Sequence, residues 1–180
     1  MNYGEGGSNL TQIKFLDNED FYSIFFEDIC GVQCGDHYDK NNPQHIIWLK
    51  EFVSNLYLQG GVAMCLFSDE SDGNEPLGFI YLLHDKGLEN VACFGKKATI
   101  SMLAIRDKHQ NKGYGTLLCR NAEQFLRECG AECLYTDTPD NPDDRQALIF
   151  YIRNGFTPIS CHPGENGKDD MSQVYLFKYL

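Results

Sequence analysis

Apolar positions recur along the chain in two periods, and the alternation between them outlines the fold. Strand-length apolar runs occur at 11–16 (TQIKFL), 61–67 (GVAMCLF), 76–83 (PLGFIYLL), 98–105 (ATISMLAI), 133–138 (CLYTDT), 156–160 (FTPIS) and 172–180 (SQVYLFKYL). Helical spacing takes over between them. It covers 18–29, then 43–58, where Ile46, Ile47, Leu49, Phe52, Val53 and Leu56 share a face, and the stretch from Leu117 to Cys129, closed by Gly130. A last helix is expected over 141–156, with Asn141 as its cap, Pro142 at its first position and Asn154-Gly155 at its end. CGVQCGDHYDKNN reads as a loop, and SDESDGNE as the turn of a hairpin. The pattern predicts an α/β (α+β) protein: a mixed sheet of six to seven strands, flanked by helices.

Length and composition narrow the picture. The 180 residues, 42% of them hydrophobic, suit one domain over 1–180 with a Gly/Asn/Ser-rich tail at 1–9, and neither an internal repeat nor a linker is visible. A formal charge of -11 disfavours nucleic acid, whose phosphates are met by lysine and arginine. No apolar run approaches the roughly eighteen residues of a membrane span, and no basic segment leads into an apolar run at the start, so the chain is expected to be cytoplasmic. The eight cysteines are scattered through apolar segments and read as reduced thiols. Cys30/Cys34 and Cys129/Cys133 are spaced CxxxC and no histidine pair has metal-finger spacing, so no metal site is expected.

The chemistry concentrates in HQNKGYGTLL, His109 to Leu118. A glycine-rich turn between a strand and a helix gathers unpaired backbone amides in front of a helix dipole, an arrangement that binds phosphate. Two common nucleotide loops fail on spacing. Lys112 precedes its glycine, unlike the lysine of a P-loop, and Leu118 stands where a dinucleotide fingerprint needs a third glycine.

The segment LAIRDKHQNKGYGT, Leu103 to Thr116, resembles instead the acyl-CoA motif of the GNAT superfamily of N-acyltransferases: Arg or Gln, two residues, Gly, any residue, then Gly or Ala, matched by Gln110, Gly113 and Gly115. Leu103 and Ile105 match the family's apolar pair at the strand end. A second motif, A-x-x-F-Y-x-x-x-G-F, is matched by Ala147 to Phe156. The resemblance is firm over about 60–160 and assigns the acyl-CoA motif to 98–130 and the helix of the general acid to 141–156. It implies the GNAT fold, with a mostly antiparallel sheet whose fifth strand splays to admit acetyl-CoA as acyl donor.

What the resemblance implies for single residues is specific. Leu103, Ala104 and Ile105 would hold the acyl carbonyl and pantetheine arm, with the Leu103 amide as oxyanion donor. Gln110, Asn111, Lys112, Gly113, Tyr114, Gly115 and Thr116 would grip the pyrophosphate, and Asn141 would stand in for a family asparagine replaced by Asp144. Tyr151 would be the general acid that protonates the coenzyme A sulfur. The family's early glutamate falls on Thr99, which leaves the base open among Asp137, His84, Asp85 and a water. The acceptor would be a primary amine of a small molecule or peptide, and a homodimer stays open. Two other readings remain: a non-catalytic acyl-CoA sensor of the same fold, and a Rossmann-type nucleotide binder.

Overall fold

The computed structural model describes residues 11–34, 39, 42–69, 73–84, 96–140, 145–162 and 172–180. Its elements are β1 (Thr11–Leu16), α1 (Asn18–Cys34), α2 (Pro43–Leu58), β2 (Gly61–Ser68), β3 (Pro76–His84), β4 (Lys97–Ile105), α3 (Tyr114–Glu128), β5 (Cys133–Asp140), α4 (Gln146–Arg153), β6 (Thr157–His162) and β7 (Ser172–Tyr179). They build a seven-stranded sheet in the order β1-β2-β3-β4-β5-β7-β6, antiparallel except between β4 and β5.

Each face of the sheet has its own core. Strand alternation sends Met64, Leu66, Ile80, Leu82, Ile100 and Leu134 to one side, where they pack with Leu118, Ala122 and Leu126 of α3 and Tyr151 of α4. Ala63, Cys65, Phe67, Phe79, Tyr81 and Met102 point the other way, against Phe21, Phe25 and Ile29 of α1 and Leu49, Val53 and Leu56 of α2. Phe79 lies edge-on to both Phe21 and Phe25, with ring centroids 4.9 and 5.1 Å apart.

Three elements depart from the sequence reading. The first helix does not stop at residue 29; it bends at Phe25 (φ −114°, ψ 18°) and runs on to Cys34. Burial of Ile29 and Cys30, at about 1.5–3 kcal/mol for a fully buried aliphatic side chain, outweighs the roughly 1 kcal/mol that Gly31 costs a helix. The fifth strand continues to Asp140, paired with Ser172 on β7. The last helix accordingly begins at Gln146 rather than at 141, after a non-helical Arg145 whose Nε lies 3.2 Å from Asp140 Oδ1. Asn141, its expected cap, lies outside the described residues, as do Asp85 and Asp144. The helix over 43–58 forms as the pattern predicts, with the Asn42 side chain accepting from the Gln44 amide at 3.0 Å and Pro43 at the first position.

Cys30, Cys65, Cys119, Cys129, Cys133 and Cys161 are free thiols. No helix among the described residues is long and apolar enough to cross a membrane.

Candidate active site

β4 and β5 begin as partners and then separate. Parallel pairing joins Lys97 to Cys133, Ala98 to Leu134 and Thr99 to Tyr135; beyond these, β4 keeps only β3 and β5 keeps only β7. Thr136 stands at the fork, its hydroxyl donating to the Ile100 carbonyl at 3.3 Å. On the other edge of β4 the register skips: Tyr81 faces Met102 and Leu82 faces Ile100, so Ser101 is an inserted bulge residue. Bulges of this kind re-aim the backbone that follows.

The bonding of that backbone follows from one contact. The Arg106 amide donates to the Leu77 carbonyl at 3.0 Å, toward β3. Strand alternation then turns the amides of Ile105 and Leu103 the opposite way, into the gap. The Leu103 amide, expected as an oxyanion donor, therefore faces the space between the separated strands.

The loop after β4 folds on itself. A short 3-10 turn over Asp107–His109 leads to Gln110, whose Nε2 donates to the Ile105 carbonyl (3.1 Å) and to Asp107 Oδ1 (2.9 Å). Asn111 (φ 59°) and Gly113 (φ 85°) are left-handed. Gly113 caps α3 without any side-chain hydrogen bond, and the first bond of the helix runs from Leu117 N to Gly113 O at 3.0 Å. The amides of Tyr114, Gly115 and Thr116 are thus the ones helix geometry leaves unpaired. They gather at the positive end of the dipole, as an anion site requires.

These pieces border one cleft of 1480 Å³, whose walls are Leu103–Asp107, His109–Asn111 and Gly113–Thr116 on one side, and residues of α1 and α4 on the others. Lys112 alone of the expected loop residues is absent from that wall, and its side chain is exposed. Phe150 of α4 closes on Gly115. Arg106 latches α1 to the end of β4: its Nε lies 3.2 Å from Asp28 Oδ2, its terminal nitrogen donates to the Ile24 carbonyl at 2.7 Å, and its guanidinium lies over the Phe25 ring. Sequence reasoning missed Arg106 and the α1 wall and gave Phe150 only as a motif position, because the role of each at the cleft depends on packing.

Tyr151 is buried beside the fork, next to the Thr136 side chain. Desolvation, reinforced by the charges of Cys119 and Asp137, raises its phenol well above the ordinary value, so it stays protonated. The proposed bases separate by position. His84 ends β3 opposite Ala98, on the closed side of the fork, and neither it nor Asp137 is among the residues that line the cleft. Asp137 follows Thr136 immediately and points to the opposite face from it. Its residue is exposed to solvent on one side, yet the protein around it desolvates the carboxyl enough to raise its pKa.

A sheet opened along one strand, with an amide-rich helix start at the mouth of the opening, defines a mixed α/β (α+β) protein with an anion-binding geometry beside a split sheet. Residues 18–156 match the model of the acetyltransferase (GNAT) family, and the chain belongs to that family. Solved structures share the fold at low identity. A GNAT-family protein from Desulfovibrio desulfuricans is 14% identical, with 94% of this chain and 99% of that chain covered and a TM-score of 0.66. The ribosomal-protein-S18-alanine N-acetyltransferase of Escherichia coli is 14% identical, with 94% of each chain covered and a TM-score of 0.65. The yncA protein of Salmonella typhimurium, solved with its cofactor acetyl-CoA, is 16% identical, with 95% and 94% covered and a TM-score of 0.63. No curated protein sequence matches the chain.

Proposed function

We propose that the protein transfers an acetyl group from acetyl-CoA to a primary amine. The observation that carries this reading is the fork: pairing between β4 and β5 ends at Thr99 and Tyr135, and the gap leads to the free amides of Tyr114, Gly115 and Thr116. The residues present suit the donor. The unpaired amides and the left-handed Asn111 and Gly113 form a concave anion site for a pyrophosphate, and the amides of Leu103 and Ile105 offer hydrogen bonds to an amide-bearing arm. The yncA structure, solved with acetyl-CoA, supports the same choice. Acetyl-CoA would supply an activated thioester carbonyl.

The chain's own residues then divide the proton work. The Leu103 amide stabilises negative charge on the carbonyl oxygen. Asp137 takes the proton that the amine loses as its nitrogen bonds to the acetyl carbon. Tyr151 holds a proton for the sulfur whose bond to that carbon breaks, and is reprotonated from solvent. Asp137 and Tyr151 stand on opposite faces of β5, so attack and departure run through the gap from opposite sides. Gln110 acts as a brace of the loop, through Ile105 and Asp107, and Lys112 is a peripheral contact.

The test is release of free thiol from acetyl-CoA across a panel of primary amines and amino-terminal peptides. Amine-dependent release with an acetylated product supports the reading. Acetyl-CoA binding without release under any amine would instead assign a non-catalytic acyl-CoA sensor.

A further inference from the structure

The half of the sheet beyond the fork carries a surface of which the proposed transfer uses only Asp137. Leu134, Val174 and Leu176 point into the core under α3 and α4, so their neighbours on β5 and β7 point to the opposite face. There Asp137 stands directly across from Tyr175, and Ser160 of β6 is Tyr175's partner on its other side. His162, two residues further along β6, shares that face, and its ring lies edge-on to Tyr175, with centroids 4.9 Å apart at 70°. The Tyr175 hydroxyl has no hydrogen-bond partner among the described residues, and the Asp137 carboxylate has only its own amide.

Resting on the acetyltransferase reading, we infer that the acceptor is a cationic amine, received as an ammonium ion between the Asp137 carboxylate and the Tyr175 and His162 rings. A carboxylate flanked by aromatic faces suits a positive charge: the carboxylate supplies the counter-charge and the rings supply cation–π attraction. It suits an anion poorly. A net charge of -11 adds a field that concentrates cations near the protein. The position is also productive, because Asp137 lies one residue past the fork, where it takes the first proton the ammonium ion sheds, passes it to solvent, and is again a carboxylate for the second proton, lost as the nitrogen bonds to the acetyl carbon. The inference thus narrows the acceptor from amines in general to those charged at neutral pH, such as alkyl diamines or lysine-like side chains, and makes Tyr175 and His162 determinants of acceptor specificity.

The probe is butyltrimethylammonium, which carries the charge but has no proton to lose and accepts no acetyl group. It is titrated calorimetrically into the full chain saturated with coenzyme A. Saturable binding is expected, weakened at least tenfold in Tyr175→Leu. His162→Ala, a change on an exposed strand that leaves the core untouched, should weaken it about threefold. Binding that is absent, or equally strong in both variants, overturns the inference. Thiol release with neutral aniline and with 1,4-diaminobutane, measured in parallel, separates the two claims. Acetylation of aniline with no binding of the cation leaves the acetyltransferase standing and removes the cationic site, whereas no release with any amine removes the acetyltransferase reading itself.

Discussion

Gly115 and Phe150 touch so closely that a Cβ on the glycine would come within 2.9 Å of the ring's Cε2. This contact joins the start of α3 to α4 and so fixes the mouth of the cleft against the helix that carries Tyr151. Alanine is tolerable there, because an aromatic edge can give by a few tenths of an ångström. The branched side chain of Gly115→Val cannot be absorbed in that way. We expect this variant to lose about 1–3 kcal/mol in urea denaturation, as overpacked sites do, and to bind acetyl-CoA about tenfold more weakly by calorimetry.

Gly113 presents the opposite case. Nothing lies within 4 Å of a Cβ built there, but its φ of 85° is one that side-chain-bearing residues adopt only at a cost. Gly113→Ala should therefore lose about 1–2 kcal/mol through backbone conformation alone. Gly113→Asp adds a carboxylate facing the same amides that would hold a pyrophosphate, and should abolish acetyl-CoA binding. Calorimetry on the two variants separates the conformational cost from the electrostatic one. Equal binding by both would refute the anion site.

Tyr151→Phe removes one oxygen from a buried ring and keeps its shape. If the hydroxyl protonates the sulfur, kcat should fall by roughly a hundred- to ten-thousand-fold. The acetyl-CoA dissociation constant should hold steady, and loss of the buried hydroxyl should change stability by no more than about 1 kcal/mol. An unchanged kcat in a folded variant would remove the tyrosine from the mechanism.

The raised pKa of Asp137 has a direction that kinetics can read. Desolvation favours the neutral carboxyl, so the carboxylate needed to accept a proton exists only above a pKa higher than the ordinary value of about 4. Activity should fall as pH drops through that raised value, giving kcat/KM an acidic limb. Asp137→Asn should lower the plateau and erase the limb. A limb that persists in the variant would assign it to another group.

Stability depends on a charged cluster behind the site. Lys178 Nζ lies 2.6 Å from Glu123 Oε1 and donates to the Asn154 carbonyl at 2.8 Å, tying β7 to α3 and to the end of α4. Glu123 is buried. Lys178→Met leaves that carboxylate with only the longer contact to Arg127, at 3.5 Å, and should cost about 3 kcal/mol. Lys178→Met combined with Glu123→Leu should recover much of the loss, which paired thermal or urea melts would detect.

The strands and α2 could be read along the chain because each buries one regular face, and burial is what writes periodicity into a sequence. The loop from Gln110 to Thr116 was legible for a different reason: its glycines meet local conformational demands. The extension of α1 past Gly31 was not legible, because it depends on partners in α2 and β4 that lie far away in sequence. α4 starts at Gln146, after a fifth strand that runs on to Asp140 along β7, and the Asn141-Pro142 signal lies outside the described residues. Arg106, which holds α1 against the cleft, looks like any charged residue after a strand until Asp28 and Ile24 are brought beside it.

The parting of β4 from β5 means that the sheet has an edge in its interior as well as at its rims. Exposed edges invite strands from other chains, and proteins usually blunt or cover them. This one lies inside the molecule, with β5 on its far side and α1 and α4 bordering the cleft it opens on. On the proposed reading, the amide-bearing arm of the donor would bond there as a strand does. The sheet is therefore left one partner short, and under the proposed function that partner is one that leaves after each turnover.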